Sequence, residues 1–264
     1  PTSAVLLTET TASSHSAGDE VFICSLSDDE TIDSLLTRVL VDSDLDASLI
    51  PAAAWSAEVA EWHANDKINT LHSESEGVDT VLNRILTGYL MDLWFEPTEN
   101  LVKLSAISVW KQSTASLTEG KEINAYSIKK TPNESIRASR ALVVYDKRDL
   151  ASTDDTTSYR KASQFSDNTL ISDALFTKHK DKQFNNNFLL TEDAANLLTQ
   201  RYVSRFKFTP FTRPFIGEER SLIYKTGDVT DLRTSVDQGA DGLPSGNIRA
   251  QILKINPKYG KAGR

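Results

Sequence analysis

The 264 residues are 39% hydrophobic and carry a formal net charge of −8, which allows one or two domains with their own cores. A single cysteine, Cys24, excludes an intrachain disulfide, and no run approaches the roughly 18 apolar residues of a membrane span. Residues 1–20 lack the basic start and apolar block of a signal peptide. The chain begins at Pro1 and stops at Arg264, which favours a segment or a processed product of a longer protein.

Charge is divided unevenly along the chain. Residues 1–110 hold 19 acidic and 4 basic side chains (−15), whereas residues 111–264 hold 18 and 25 (+7). This asymmetry predicts two parts with different neighbours, and the acidic first part argues against a nucleic-acid clamp there. Ordinary solvation of an acidic helical face is the alternative.

The chain is predicted to start with a linker or strand that is followed by a helix. Residues 1–20, rich in Ser, Thr and Ala, are interpreted as a linker or a loose first strand. Ser27 and Glu30 have the spacing of a capping box and predict a helix from Asp28 to Leu40. Its expected buried stripe has the helical spacing of five apolar residues: Ile32, Leu35, Leu36, Val39 and Leu40.

Asp42–Asp46 places carboxylates at alternate positions, as at the opening of a calcium loop. Ala47 stands where that loop needs glycine, and Ala53 stands where it needs a bidentate glutamate. The pattern therefore favours a solvated loop with a helix-capping aspartate.

A second helix is predicted from Ala52 to His63, following Pro51. Its aromatic face carries Trp55 and Trp62, which is more typical of a core than of a ligand platform. Asp66–Leu71 then predicts a short connector or strand.

Residues 74–109 predict a helix that feeds a hairpin. Apolar residues from Val78 to Leu86 have helical spacing, and Gly88 is expected to end the helix. The strand after it buries one face only, so either Trp94 or the Leu93/Phe95 pair is expected in the core.

The second half is predicted to be rich in strands around one helix. The helix spans residues 191–203 with Thr191 as its cap, and residues 146–190 form a polar, irregular excursion. Strands are predicted at 121–128, 140–145, 205–208, 221–224, 227–232 and 248–255, with turn chemistry at 241–246. The fold class is α+β: a helix-and-hairpin domain at 21–137, followed by a β-rich, barrel-like domain at 138–264.

Catalytic and metal-binding patterns are largely missing from the sequence. The four histidines (His15, His63, His72, His179) have no metal-ligand spacing, so Glu61, His63 and Asp66 form only a stray candidate site. Asp154–Asp155 and Glu218–Glu219 are carboxylate candidates by residue type alone. There is no nucleophile elbow, Walker loop or dinucleotide fingerprint. We therefore expect no catalytic, cofactor-binding or metal-binding residue.

Basic and aromatic residues alternate between residues 201 and 213. The members are Arg201, Arg205, Lys207 and Arg213 with Tyr202, Phe206, Phe208 and Phe211. Such a pattern binds single-stranded nucleic acid in some proteins, but a strand with one wet face produces it too, and the strand is favoured here. Asn133–Ser135 fits a glycosylation pattern, which is interpreted as coincidence.

The order of elements resembles a known family. An acidic helix (Asp28–Leu40) and a Trp-bearing helix precede the hairpin, and Arg140–Tyr145, a polar excursion, a helix and Tyr224–Leu232 follow it. Over about residues 21–260 this order resembles tail-tip or baseplate hub proteins of tailed bacteriophages, especially long flexible-tailed ones, and is similar to contractile-phage baseplate hubs. The chain is shorter than many such hubs, and its N-terminal segment shows too few strands for an initial barrel.

The resemblance implies a structural protein of the virion tail tip, assembled in the host cytoplasm, without active site, cofactor or membrane anchor. It implies a homotrimeric ring that closes the tail tube. Implied partners are the tail tube or distal tail proteins, the tape-measure protein and a central fibre or spike. DNA passes through the channel, so the acids of residues 28–46 are expected to face the lumen, and Arg201, Arg205 and Lys207 to face neighbouring proteins. A receptor- or glycan-binding tail module and a tail-associated cell-wall hydrolase are the alternatives.

Overall fold

The computed structural model describes residues 25–72, 77–108, 110–147, 156–168, 179–208, 210–218, 221, 223–237 and 248–255. The helices within these ranges are α1 (Ile32–Val41), α2 (Ala52–His63), α3 (Val78–Tyr89) and α4 (Glu192–Phe206). The strands are β1 (Ser25–Glu30), β2 (Ile68–His72), β3 (Met91–Glu96), β4 (Leu101–Ala106), β5 (Ala115–Thr118), β6 (Thr131–Pro132), β7 (Arg140–Lys147), β8 (Tyr159–Ser166), β9 (Asp181–Asn185), β10 (Phe211–Thr212), β11 (Val229–Arg233) and β12 (Ile248–Gln251). The predictions for residues 1–20, Cys24, Asp154–Asp155 and the turn at 241–246 concern residues outside these ranges.

Helix α1 begins later than the capping box predicts. Residues Ser25–Glu30 form β1, which pairs with β2, and Thr31 is the N-cap of α1. The prediction of a helix from Asp28 was wrong because the box residues have another partner. Arg38 donates to the Glu30 carboxylate at 2.8 Å and to Ser27 Oγ at 2.9 Å. The buried stripe was predicted correctly, since three of its members are buried and two partly buried: Ile32, Leu35, Leu36, and Val39 and Leu40.

Helix α2 has the predicted bounds, and its apolar face rests on the hairpin. Trp55 is buried, and its Nε1 donates to the carbonyl oxygen of Val102 on β4 at 3.0 Å. On the same helix, Glu58 accepts from the Ala106 N–H at 2.7 Å. Polar side chains of α2 thus bond the hairpin backbone from one side.

Helix α3 runs through Gly88 to Tyr89, so the prediction that Gly88 ends the helix was wrong. The helix ends at Tyr89, and its C-cap residue, Leu90, adopts a left-handed φ of 51°. Gly88 serves a close approach instead: a Cβ there would overlap the side-chain amide of Asn186. Asn186 Nδ2 donates to the carbonyl oxygen of Arg84, at 3.1 Å.

The hairpin after α3 is confirmed. Strands β3 and β4 pair antiparallel from Met91↔Ala106 to Glu96↔Leu101, across a turn in which Asn100 has a φ of 55°. Leu93 packs against the larger core, whereas Phe95 is 49% exposed. The expected Leu93/Phe95 pair is therefore split, because Phe95 lies near the exposed end of the hairpin.

The polar excursion at 146–190 contains two strands that the sequence did not predict. Strand β8 pairs antiparallel with β7, and β9 pairs parallel with the other edge of β7. Helix α4 covers this sheet, with the rings of Phe184 and Tyr202 4.9 Å apart. The β8 pattern was missed because most of its side chains are polar and exposed or half-exposed.

Helix α4 has the predicted cap, since Thr191 Oγ1 accepts from the Ala194 N–H at 3.3 Å. Its apolar stripe (Ala194, Ala195, Leu198, Tyr202) is buried. The helix continues to Phe206, so the strand predicted at 205–208 was wrong. Tyr202 and Phe206 are four residues apart and pack with ring centroids 4.7 Å apart, which stabilises the extra turn.

The rest of the second half forms small sheets. Strand β11 lies between β12 and β5, and β6 pairs with β10. Strands β11 and β12 confirm the predicted strands near the C-terminus. Residues 121–128 instead form turns in which Ile123 bridges to Glu119 and to Gly217, and 221–224 form no strand among the described residues. The α+β class is confirmed. The described strands are grouped in separate two- and three-stranded sheets, and the barrel stays a prediction.

The residues that the structure describes form two hydrophobic cores. The larger core joins α1, α2, α3, the hairpin, β7 and α4, and the smaller core contains Leu117, Ile123, Ile128 and Leu232. Each core draws residues from both sides of position 137. The division into 21–137 and 138–264 stays a prediction.

Candidate functional site

The stray metal candidate is in fact a packing cluster. His63 is buried, and its Nδ1 lies 2.7 Å from Asp66 Oδ2, while Glu61 is exposed. Arg201 of α4 lies against the His63 ring and donates to the carbonyl oxygen of Trp62 at 2.6 Å. Burial lowers the pKa of the Arg201 guanidinium. Within the described ranges, no group of three or more His, Cys, Asp or Glu side chains is arranged to hold a metal ion.

The other candidate carboxylates that the structure describes, Asp46 and Glu218, lie on the surface. Asp46 accepts from the Ser48 N–H at 2.9 Å and caps a short 3-10 helix, as the sequence favoured. That hydrogen bond lowers the pKa of Asp46. Glu218 is exposed, and Glu219 lies outside the described ranges. Ser135 donates to the Asn133 side chain at 2.6 Å on the surface.

One described concavity is a cleft between the α2–hairpin face and the loop at 225–229, with a volume of about 560 Å³. We call it the tryptophan cleft because three of the four tryptophans line it: Trp62, Trp94 and Trp110. Its polar lining contains four glutamates, three lysines and an aspartate: Glu58, Glu61, Glu96, Glu99, Lys103, Lys111, Lys225 and Asp228. An aromatic cleft of this size with convergent polar groups is the default binding-site candidate of an uncharacterised protein.

Each indole comes from a different element. Trp62 lies in the last turn of α2, Trp94 on β3, and Trp110 in the segment after β4. Trp94 is positioned by Gly227, whose φ is 90° and where a Cβ would overlap the Trp94 ring. Trp110 is 52% exposed and presents the most accessible aromatic surface of the three.

All three lysines of the cleft lining form ion pairs. Lys111 pairs with Glu58, and Glu99 pairs with both Lys103 and Lys225. Hydrogen bonds from Lys103 and Lys225 hold the pKa of Glu99 at about 2. The Lys225–Glu99 pair also connects the loop before β11 with the hairpin.

The cleft wall still holds unmatched polar groups. The indole nitrogens of Trp62 and Trp94 are closed off from solvent and find no acceptor among the described residues. An indole N–H only donates, and leaving such a donor unmatched costs about 1–3 kcal/mol. Glu96 is buried as well, but its Oε1 accepts from Thr98 Oγ1 at 2.7 Å.

Sequence reasoning missed this cleft because it assigned Trp62 to helix packing and Trp94 to hairpin packing, and it gave Trp110 no role. The available signal was the grouping of Trp62, Trp94 and Trp110 within one stretch of the chain that also holds many glutamates. Their convergence depends on the loop at 225–229, which no sequence spacing links to the hairpin.

Among the helices that the structure describes, none is long and apolar enough to cross a membrane. No protein-family model and no curated protein matches the chain.

Solved structures do match. The chain is similar to a chain of the virion of the native gene transfer agent (GTA) particle, with 12% identity and a TM-score of 0.55 over 89% of this chain and 49% of that chain. It is also similar to the tail protein from Neisseria meningitidis MC58, with 10% identity and a TM-score of 0.49 over 84% of this chain and 61% of that chain. A third match is the 43 kDa tail protein of prophage MuSo2 from Shewanella oneidensis, with 10% identity and a TM-score of 0.45 over 87% of this chain and 64% of that chain. The chain thus spans about half to two thirds of the length of these structures, and it shares its fold with a chain of the GTA virion.

Proposed function

We propose that this chain is a structural component of the tail of a phage-like particle, without a catalytic step of its own. The observation that carries the proposal is the fold shared with a GTA virion chain over 89% of this chain at a TM-score of 0.55. Among the described residues, two packed cores suit a structural part.

The finer proposal is a hub ring at the tail tip. Three copies close the tail tube and join it to a fibre or spike, with distal tail and tape-measure proteins as neighbours. This step is supported by the order of elements, which resembles baseplate hubs. It is supported as well by the charge division of −15 in residues 1–110 against +7 in residues 111–264. Opposite patches of one chain suit head-to-tail contacts in a closed ring.

The acidic loop after α1 is the proposed lumen or contact surface. Asp42, Asp44 and Asp46 are all exposed. An acidic lining repels DNA phosphates and lets the DNA pass. Arg201 and Lys207 contribute less to the basic surface than their charge implies, because Arg201 binds α2 and Lys207 pairs with Asp167 at 2.9 Å.

The assembly test uses the purified chain. Native mass spectrometry and sedimentation at micromolar concentration are expected to show a trimer. The double variant Asp42→Asn/Asp44→Asn keeps side-chain size, and asparagine tolerates the left-handed φ of 66° at Asp44. If these acids lie between subunits, the variant weakens the trimer. The matched control, Glu192→Gln/Asp193→Asn, removes two exposed acids from the first turn of α4.

The position test uses the assembled particle. A reconstruction of the tail is expected to show the chain in a ring at the end of the tube, with the loop after α1 facing the lumen. A monomer both in solution and in the particle would contradict the proposed ring. A lumen lined mainly by Lys and Arg would contradict the proposed acidic lining, but it would not contradict the structural role.

A further inference from the structure

We propose that the tryptophan cleft is a binding site for a neutral oligosaccharide. This goes beyond the structural role and does not depend on where the chain lies in a particle. The first argument is the shape and chemistry of the walls. Three indoles from α2, β3 and the segment after β4 converge on one open groove of about 560 Å³. Flat aromatic faces match the C–H faces of pyranose rings, and a groove of this volume suits a ligand of several rings.

The second argument is the charge state of the lining. Each lysine of the lining already has a carboxylate partner, since Lys111 pairs with Glu58 and both Lys103 and Lys225 pair with Glu99. An anionic ligand would have to break these pairs or remain without a counter-charge, which is costly. A neutral polyhydroxyl ligand needs only hydrogen bonds, and paired carboxylates and ammonium groups keep free lone pairs and protons for them.

The third argument is the unmatched donors. The N–H groups of Trp62 and Trp94 have no acceptor among the described residues. Sugar hydroxyl and ring oxygens accept hydrogen bonds, so a tilt that brings either buried N–H to the groove would satisfy a donor that is now unsatisfied. Such a tilt would also change the indole environment, which makes tryptophan fluorescence a direct readout.

The experiment titrates the whole chain with four neutral oligosaccharides: chitotetraose, cellotetraose, maltotetraose and mannotetraose. At least one is expected to shift the tryptophan emission and to bind by calorimetry with a Kd of about 0.1–1 mM. Trp110→Ala is expected to weaken that binding about tenfold or more, because Trp110 supplies the most exposed stacking face. Its exposure makes the variant compatible with folding, which circular dichroism checks.

The matched control is Tyr126→Ala, which also removes an exposed aromatic ring but lies outside the cleft and is 92% exposed. It is expected to bind like the unaltered chain. The proposal is overturned if none of the four sugars binds at millimolar concentration, or if Trp110→Ala binds as tightly as Tyr126→Ala. Salt-sensitive binding of oligolysine without sugar binding would instead identify the cleft as a site for a basic protein segment, which also overturns it.

Discussion

Gly88 links α3 to the segment after β9, and replacing it tests this packing. Gly88 is buried near the end of α3, and a Cβ there would overlap the Asn186 amide. Asn186 Nδ2 donates to the Arg84 carbonyl oxygen at 3.1 Å, and Asn186 Oδ1 accepts from the Phe188 N–H at 2.8 Å. The Gly88→Ala substitution therefore pushes a buried amide out of two hydrogen bonds.

Two opposing terms set the size of the effect. Alanine is favoured over glycine inside a helix by about 0.8–1.0 kcal/mol. Each buried polar group left without a partner costs about 1–3 kcal/mol, and Asn186 is only 2% exposed. Two lost hydrogen bonds outweigh the helix propensity, so we expect Gly88→Ala to lower the free energy of unfolding by about 1–5 kcal/mol.

Urea unfolding followed by circular dichroism measures this difference, and the melting temperature should fall by about 2–4 °C per kcal/mol. The control is Asn83→Ala at an exposed position of α3, which should stay within about 0.5 kcal/mol of the unaltered chain. Adding Gly88→Ala to Asn186→Ala should cost less than the sum of the single changes, because both disrupt the same contact. A Gly88→Ala variant as stable as the original chain would refute the close approach.

Three further outcomes are expected. Ile85→Ala should lower the free energy of unfolding by about 2–5 kcal/mol because Ile85 is fully buried. Leu82→Ala should lower it less because Leu82 is only partly buried. Thermal melts that match the unaltered chain for both variants would show that α3 does not pack in the core. Trp55→Phe should cost about 1–2 kcal/mol in urea unfolding, because the Val102 carbonyl loses its donor. The Glu99 pKa is lowered from 4.5 to about 2, so its stabilisation is present above pH 4.5 and is lost as pH falls toward 2. Between about pH 5 and pH 2, the melting temperature of Glu99→Gln should therefore fall less than that of the original chain.

Local signals made α2 and α4 predictable. In each helix the apolar stripe and the N-terminal signal lie within a few residues of each other, so Pro51 and Thr191 locate the two starts. The same kind of signal failed at Ser27 and Glu30, because Arg38 takes both side chains as partners. A capping box shows which bonds the side chains are able to form, and the tertiary structure decides which ones form.

Strands β8 and β9 could not be predicted for a related reason. Both are short on apolar residues, and they are stabilised by pairing with the two edges of β7. The parallel pairing of β7 with β9 joins segments that are distant in sequence, and no local periodicity records it. Gly88 shows the converse error: its sequence signal indicates a break, whereas its role is to make room for Asn186.

The tryptophan cleft depends on both cores, and this relates the structural proposal to the binding proposal. Its walls are α2 and the hairpin on the side of the larger core and the loop at 225–229 on the other side. Among the described residues, the Trp94 ring lies against Gly227 and Lys225 pairs with Glu99, and both contacts cross between the two walls. A ligand that fills the cleft touches both sides at once, so it favours one relative position of the two cores. Ligand binding should therefore slow hydrogen exchange in β11 as well as in the hairpin; protection confined to the hairpin would show that the cores respond independently.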